Sequence, residues 1–246
     1  MKIKLSASVL CLSAMMLVVQ PVSASVQTNN NVFDEKEHFK YSDLLEANDV
    51  MYLAERARTY AETHPQANLD ELNRYFKQEL RTNYKSKIDL IEQSIYPLPV
   101  SMPDLNPLEK ALYDSNPYYG TLSLADGQTA MLETDKRYTD ESETRGYGDA
   151  FQHAFWNAMM VNSTSVDWAT KWATAYEDGA AYNPQLDKTM DLTNNSRGRE
   201  IGINNGTLPR YYVSSLLPKV MAAVDAGKKV IIVYNQLVSS NSSGKL

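Results

Sequence analysis

The run from Gly148 to Met160 constrains this chain more than any other segment. At helical spacing it places Asp149, His153 and Asn157 at i, i+4 and i+8 along one face. Phe151, Phe155 and Met159 form a second stripe, and Ala154, Trp156 and Ala158 leave little polar surface elsewhere. A helix this apolar belongs inside a protein. An acid, an imidazole and an amide carried inward on it are desolvated unless they meet each other, a pocket or an ion. The segment therefore predicts a buried helix that carries a functional site or a structural hydrogen-bond network.

The same chemistry recurs on the two segments that follow. Val166 to Ala181 reads as a helix with Trp168, Trp172, Ala175 and Tyr176 on one face and Glu177 and Asp178 at its end. Leu186 to Gly198 reads as a third, carrying Asp191, Asn194, Asn195 and Arg197, with Asp191 and Asn195 again spaced i, i+4. Three helices with facing polar stripes can build one site inside a bundle. His153 is the candidate base, because a neighbouring carboxylate fixes the tautomer of an imidazole and raises its basicity. Asp149 or Asp191 would orient it, and Asn157, Asn194, Asn195 and Arg197 would bind substrate. The competing reading makes His153 a structural residue bonded to Asp149 or to a backbone carbonyl. His38 and His64 lie in polar surroundings and are weaker candidates.

No cofactor is evident, although His153, Asp149, Glu177 and Asp191 together would suit a divalent metal. The sequence has no His-Glu-x-x-His pair, cysteine cluster, Gly-x-Ser-x-Gly elbow, phosphate loop or dinucleotide fingerprint. The run Asn194 to Arg199 reads either as an anion site or as a helix end capped by Gly198 with exposed arginines.

The fold class that follows is mainly α: a helical bundle with an N-terminal helical hairpin and at most a short C-terminal strand. The hairpin spans residues 41–100, with one helix from Ser42 to about His64 and another from Asn68 through Ile95, and is closed by Pro97, Pro99, Pro103 and Pro107. A helical domain follows over 105–238. Within it Asn116-Pro117, Gly120 and Gly127 read as turn signals around a helix from Ala125 to Leu132. Pro209 to Ala226 reads as the last helix, and Lys229 to Tyr234 as the one strand-like run. Residues 239–246 read as a frayed tail.

The first residues read as an export signal. A basic start at Lys2 and Lys4 precedes an apolar run from Leu5 to Val19, and Val22-Ser23-Ala24 supplies a cleavage site. Residues 1–24 are thus expected to be removed, leaving a flexible polar lead over 25–40 and a periplasmic or extracellular protein without a membrane span. Cys11 is the only cysteine, so the mature chain has no disulfide and no cysteine nucleophile. Loss of Lys2 and Lys4 leaves 22 basic residues against 30 acidic ones, a net charge of −8. That charge counts against nucleic acid as a partner and leaves an envelope component among the open substrates.

The two motifs together carry a resemblance. Asp149-Ala150 with His153-Ala154 and Trp156-Asn157-Ala158, followed by Met190-Asp191, Asn194-Asn195 and Gly198, resembles an uncharacterised bacterial domain of secreted and polymorphic-toxin-like proteins. The likeness runs over about residues 105–235. It implies a helical domain and export and carries no established activity. The polar residues Asp149, His153, Asn157, Glu177, Asp191 and Asn195 themselves point to a hydrolase-like or toxin-like enzyme whose substrate is not readable. The alternative is a non-catalytic envelope or interaction protein. In that family a His-Glu pair often ends the middle helix; here Tyr176-Glu177 stands there.

Overall fold

The helices begin where the sequence supplies a cap or a proline. The structure is a computed structural model and describes residues 39–93, 105–206 and 212–241. Helices α1 (Tyr41–Leu44) and α2 (Val50–Thr63) are separated by extended Leu45 and a short 3-10 turn. Helix α3 (Leu69–Asn83) opens with a capping box, in which Asn68 Oδ1 accepts the Glu71 N–H at 3.0 Å and Glu71 Oε2 accepts the Asn68 N–H at 2.9 Å. Helix α4 (Lys85–Gln93) follows directly. Asn106 and Glu109 repeat the box at α5 (Pro107–Ser115), and Asn116 caps α6 (Pro117–Asp135), each with proline in its first turn. Then come α7 (Tyr147–Ser163), α8 (Val166–Gly179) capped by Ser165, α9 (Gln185–Ile203) and α10 (Tyr212–Asp225). Strands β1 (Val230–Val233) and β2 (Gln236–Ser239) form an antiparallel hairpin, paired from Val230↔Ser239 to Val233↔Gln236. Its two-residue turn puts Tyr234 and Asn235 at φ 49° and 59°, the left-handed pair that such a turn requires.

Helix α7 is the centre of the molecule, and α9 is its closest partner. Gly198 packs on Ala154, and Gly202 packs on Ala158. The two contacts advance together along both helices, so α7 and α9 run parallel and α8 is the return between them. This overturns the reading of Gly198 as a helix end. It has no side chain because the α7 backbone occupies that space, and α9 continues to Ile203.

Helix α6 corrects a second expectation. Asn116-Pro117 is the turn expected there, between α5 and α6, but Gly120 and Gly127 do not break the chain: both lie inside α6. Pro117 sits where a missing N–H is harmless. Gly120 makes room for the Tyr113 ring, whose Cδ2 would lie 2.5 Å from an added Cβ. Trp156 and Trp168 both donate to Ser123 of this helix, to its carbonyl at 2.8 Å and its hydroxyl at 2.9 Å. These indoles are therefore core residues.

The N-terminal helices share that core. Leu44, Val50, Leu53, Phe76 and Leu80 belong to the same buried cluster as Tyr113, Leu122, Phe151 and Val220. The expected hairpin exists in α2 and α3, yet its longer helices are interrupted near Leu45 and Tyr84, and it packs as one unit with the helices that follow. At the other end, Ser239 and Ser240 are held in place, although the tail was expected to start there. Ser239 ends β2, and buried Ser240 donates its hydroxyl to the Val224 carbonyl at 2.5 Å. No helix among the described residues is long and apolar enough to cross a membrane. The expected export signal, nearly all of the lead and Pro97, Pro99, Pro103 and Pro209 lie outside the described residues.

Candidate functional site

Six of the expected residues meet between α7, α8 and α9. His153 is at the centre, and its two ring nitrogens face different neighbours. Nδ1 lies 3.3 Å from Asn195 Oδ1 and 3.5 Å from Glu177 Oε1. Nε2 lies 3.3 Å from Asp149 Oδ1 and 3.6 Å from Asp191 Oδ1.

The Nδ1 side is closed and internally satisfied. Asn195 Oδ1 accepts from Asn157 Nδ2 at 2.6 Å, while Asn195 Nδ2 donates to Glu177 Oε1 at 3.4 Å. Asn183 Nδ2 donates to Glu177 Oε2 at 2.8 Å. Arg199 donates to Asn157 Oδ1 at 2.7 Å. Asn195 thus presents its oxygen to the imidazole, so Nδ1 carries a hydrogen.

The Nε2 side is different. Asp149 is fixed from one flank, because its Oδ2 accepts the Arg145 N–H at 2.6 Å. Arg145 holds a left-handed backbone at φ 65°, and its guanidinium grips Asp187 at 2.5 and 2.7 Å. Asp191 Oδ1, by contrast, is buried with no hydrogen-bond donor among the described residues. A neutral imidazole with hydrogen on Nδ1 would aim its Nε2 lone pair at two carboxylate oxygens. A cation therefore belongs between them, either a proton on Nε2 or a metal ion. The ligand atoms of Asp149, His153 and Asp191 all lie within 4.8 Å of one another. This side is also the wetter one: the His153, Asp149 and Asp191 side chains keep 11%, 17% and 12% of their area exposed, against 2% for Glu177.

The electrostatics follow from crowding. Burial alone would lower the His153 pKa. The hydrogen bond to Asp149 and the charges of Asp191, Asp149 and Glu177 outweigh it and raise the imidazole to about 9. Burial, reinforced by Asp149, Glu177 and Asp187, pushes Asp191 up to about 7 against the opposing pull of His153. Glu177 is also raised, chiefly by burial, against His153, Asn183 and Asn195.

Two expected site residues are elsewhere. Asn194 clamps β1, donating to the Val230 carbonyl at 2.8 Å and accepting the Val230 N–H at 2.9 Å. Arg197 donates to the Lys228 carbonyl at 3.0 Å. Each residue of a helix turns by about 100°, so the neighbours of Asn195 in sequence leave its face. Asp178 also stands apart, paired with Lys188. The same geometry gives Arg199, read from sequence only as part of the Asn194 to Arg199 run, a place in this site. Arg199 is four residues beyond Asn195 and eight beyond Asp191, and so completes a stripe that mirrors Asp149, His153 and Asn157. Sequence reasoning missed Asn183, and nothing in its local sequence marks it.

Residues 110–228 match a family described as a domain of unknown function, DUF6973. That span contains every residue of the site and excludes α1 to α4. No curated protein and no solved structure matches the chain.

Proposed function

We propose that this chain is an exported, divalent-metal-dependent hydrolase whose metal is held by Asp149, His153 and Asp191. The observation that carries the reading is the convergence of His153 Nε2 with the two carboxylates, one of which has an oxygen without a donor. Bonds of about 2.0–2.2 Å place neighbouring ligands of one ion about 3 Å apart. The separations of 3.3 and 3.6 Å from Nε2 are close to that. Asn195 and Glu177 would orient the imidazole through Nδ1–H, as outer partners of metal-bound histidines do. Bound there, a metal supplies a hydroxide near neutral pH and polarises a scissile carbonyl or phosphoryl group. The chain's own contribution is a fixed ligand tautomer, a closed inner side and a face that water reaches.

Export rests on the sequence, from the basic start at Lys2 to the cleavage signal at Ala24. N-terminal sequencing of the secreted protein is expected to begin at Ser25. Acylated protein retained at Cys11 would contradict it. For an exported hydrolase an envelope component is a natural substrate, and a toxin-like action would use the same chemistry.

A second reading is favoured by the closed network of Asn157, Asn195, Glu177 and Asn183, which satisfies itself as a structural element would. Calorimetric titration of the chelator-treated protein with manganese, zinc and magnesium separates the two. The metal reading expects one equivalent bound, lost in His153→Gln and in Asp191→Asn. A wild-type protein that binds none of the three ions is the structural network alone.

A further inference from the structure

The opposite face of α9 lines a cavity of about 690 Å³. Arg197 and Glu200 of α9, Lys219 of α10, and Lys228 and Lys229 of the turn before β1 contribute its charges, four positive and one negative. Lys219 donates to Asn205 Oδ1 at 2.6 Å and Arg197 to the Lys228 carbonyl at 3.0 Å, so neutral oxygens position both without cancelling their charge. Lys229 is only 1% exposed, and no hydrogen bond or ion pair among the described residues engages its ammonium. A lysine buried this far without a counter-charge is costly. Its pKa is lowered to about 8, by burial first and then by Arg197 and Lys228, with Glu200 opposing.

We propose that this cavity binds a small phosphorylated ligand, with Lys229 at its floor and Arg197, Lys219 and Lys228 around it. A doubly charged phosphate group matches a surplus of positive charge better than a single carboxylate does, and lysine ammoniums bind phosphate as point charges. The volume is that of a small-molecule site. The chain carries 30 acidic residues against 24 basic, which disfavours extended polyanions such as nucleic acid or an anionic membrane. Of the run Asn194 to Arg199, read from sequence as an anion site or a capped helix end, Arg197 alone lines this cavity; Asn195 and Arg199 belong to the other face. The inference does not depend on the Asp149–His153–Asp191 centre.

The test is calorimetric titration of chelator-treated protein with pyrophosphate and with inorganic phosphate, at fixed ionic strength, with acetate as the control anion. Saturable binding of pyrophosphate is expected, weakened about tenfold or more in Lys229→Met and in exposed Lys228→Gln, and unchanged in His153→Gln. Circular dichroism checks that Lys229→Met folds, and Lys228→Gln carries the test if it does not. The proposal is overturned by binding no stronger than that of acetate, by binding that both lysine variants retain, or by binding lost in His153→Gln. Preference for phosphatidate vesicles or an oligonucleotide over pyrophosphate overturns it as well.

Discussion

Gly198 of α9 lies directly on the backbone of Ala154 in α7: a Cβ added to Gly198 would fall 2.2 Å from the Ala154 carbonyl oxygen. This contact, repeated at Gly202 with 2.6 Å to the Ala158 oxygen, brings the two polar stripes within hydrogen-bond reach. Gly198→Ala is expected to cost at least about 1–3 kcal/mol, the range for overpacking a filled interior. Gly127→Ala is the contrast, since its added Cβ would meet Trp156 at an ordinary 3.4 Å. There the helix preference for alanine makes the change neutral or slightly stabilising. The urea midpoint should fall in Gly198→Ala and stay or rise slightly in Gly127→Ala.

Asp191→Asn should separate function from stability. The carboxylate has an oxygen without a donor and faces Asp149 and Glu177. The amide removes that repulsion and adds a donor. In metal-free protein the variant is expected to melt no lower than wild type, and in titration it is expected not to take up the proposed metal, a trade of stability against binding. A fall of several degrees, with no metal bound by wild type, would instead identify Asp191 as a structural residue.

The pH dependence of metal-free protein has a definite sign. His153 is raised from 6.5 to about 9, so its contribution is fully present below 6.5 and is lost as pH rises through 9. The shift corresponds to roughly 3–4 kcal/mol at most. Asp191, raised to about 7, acts in the same direction at lower pH, because the folded state again binds the extra proton. Chelator-treated wild type should therefore melt lower at pH 9.5 than at pH 6, with a flatter profile in His153→Gln. An equally steep profile in that variant would locate the titration elsewhere.

A second buried cluster joins the first helices to the rest. Asp126 Oδ1 accepts from Tyr212 at 2.5 Å and from Arg58 at 3.3 Å, and its Oδ2 accepts from Ser163 at 2.5 Å. The four residues come from α2, α6, α7 and α10. Asp126→Ala removes the acceptor of Tyr212 and Ser163 and the counter-charge of Arg58, which keeps the Tyr212 hydroxyl at 2.7 Å, and should cost about 3–5 kcal/mol. Tyr212→Phe removes one bridging hydroxyl and should cost about 1–3 kcal/mol. Denaturant melts of the two variants should rank in that order, and a single transition is expected if α2 unfolds together with α7.

The sequence by itself determined the helical class, most helix starts and the local face of each polar residue. Caps such as Asn68, and stripes such as Asp149, His153 and Asn157, are set by interactions within four residues, and these are visible in one dimension. Tertiary structure decided which faces meet. Gly120 and Gly198 read locally as breakers, yet they sit inside helices because another element fills the space a side chain would take. Asn194 and Asn195 are adjacent and chemically identical; one turn angle sends the first to β1 and the second to His153. Arg199 shares the stripe of Asn195, but only the parallel packing of α7 on α9 gives it Asn157 as a partner. Strand β2 is too short and too polar to announce itself and exists because β1 offers it a paired edge. The cation demanded beside His153 Nε2 arises the same way, from carboxylates that lie 42 residues apart in sequence and converge only when the helices pack.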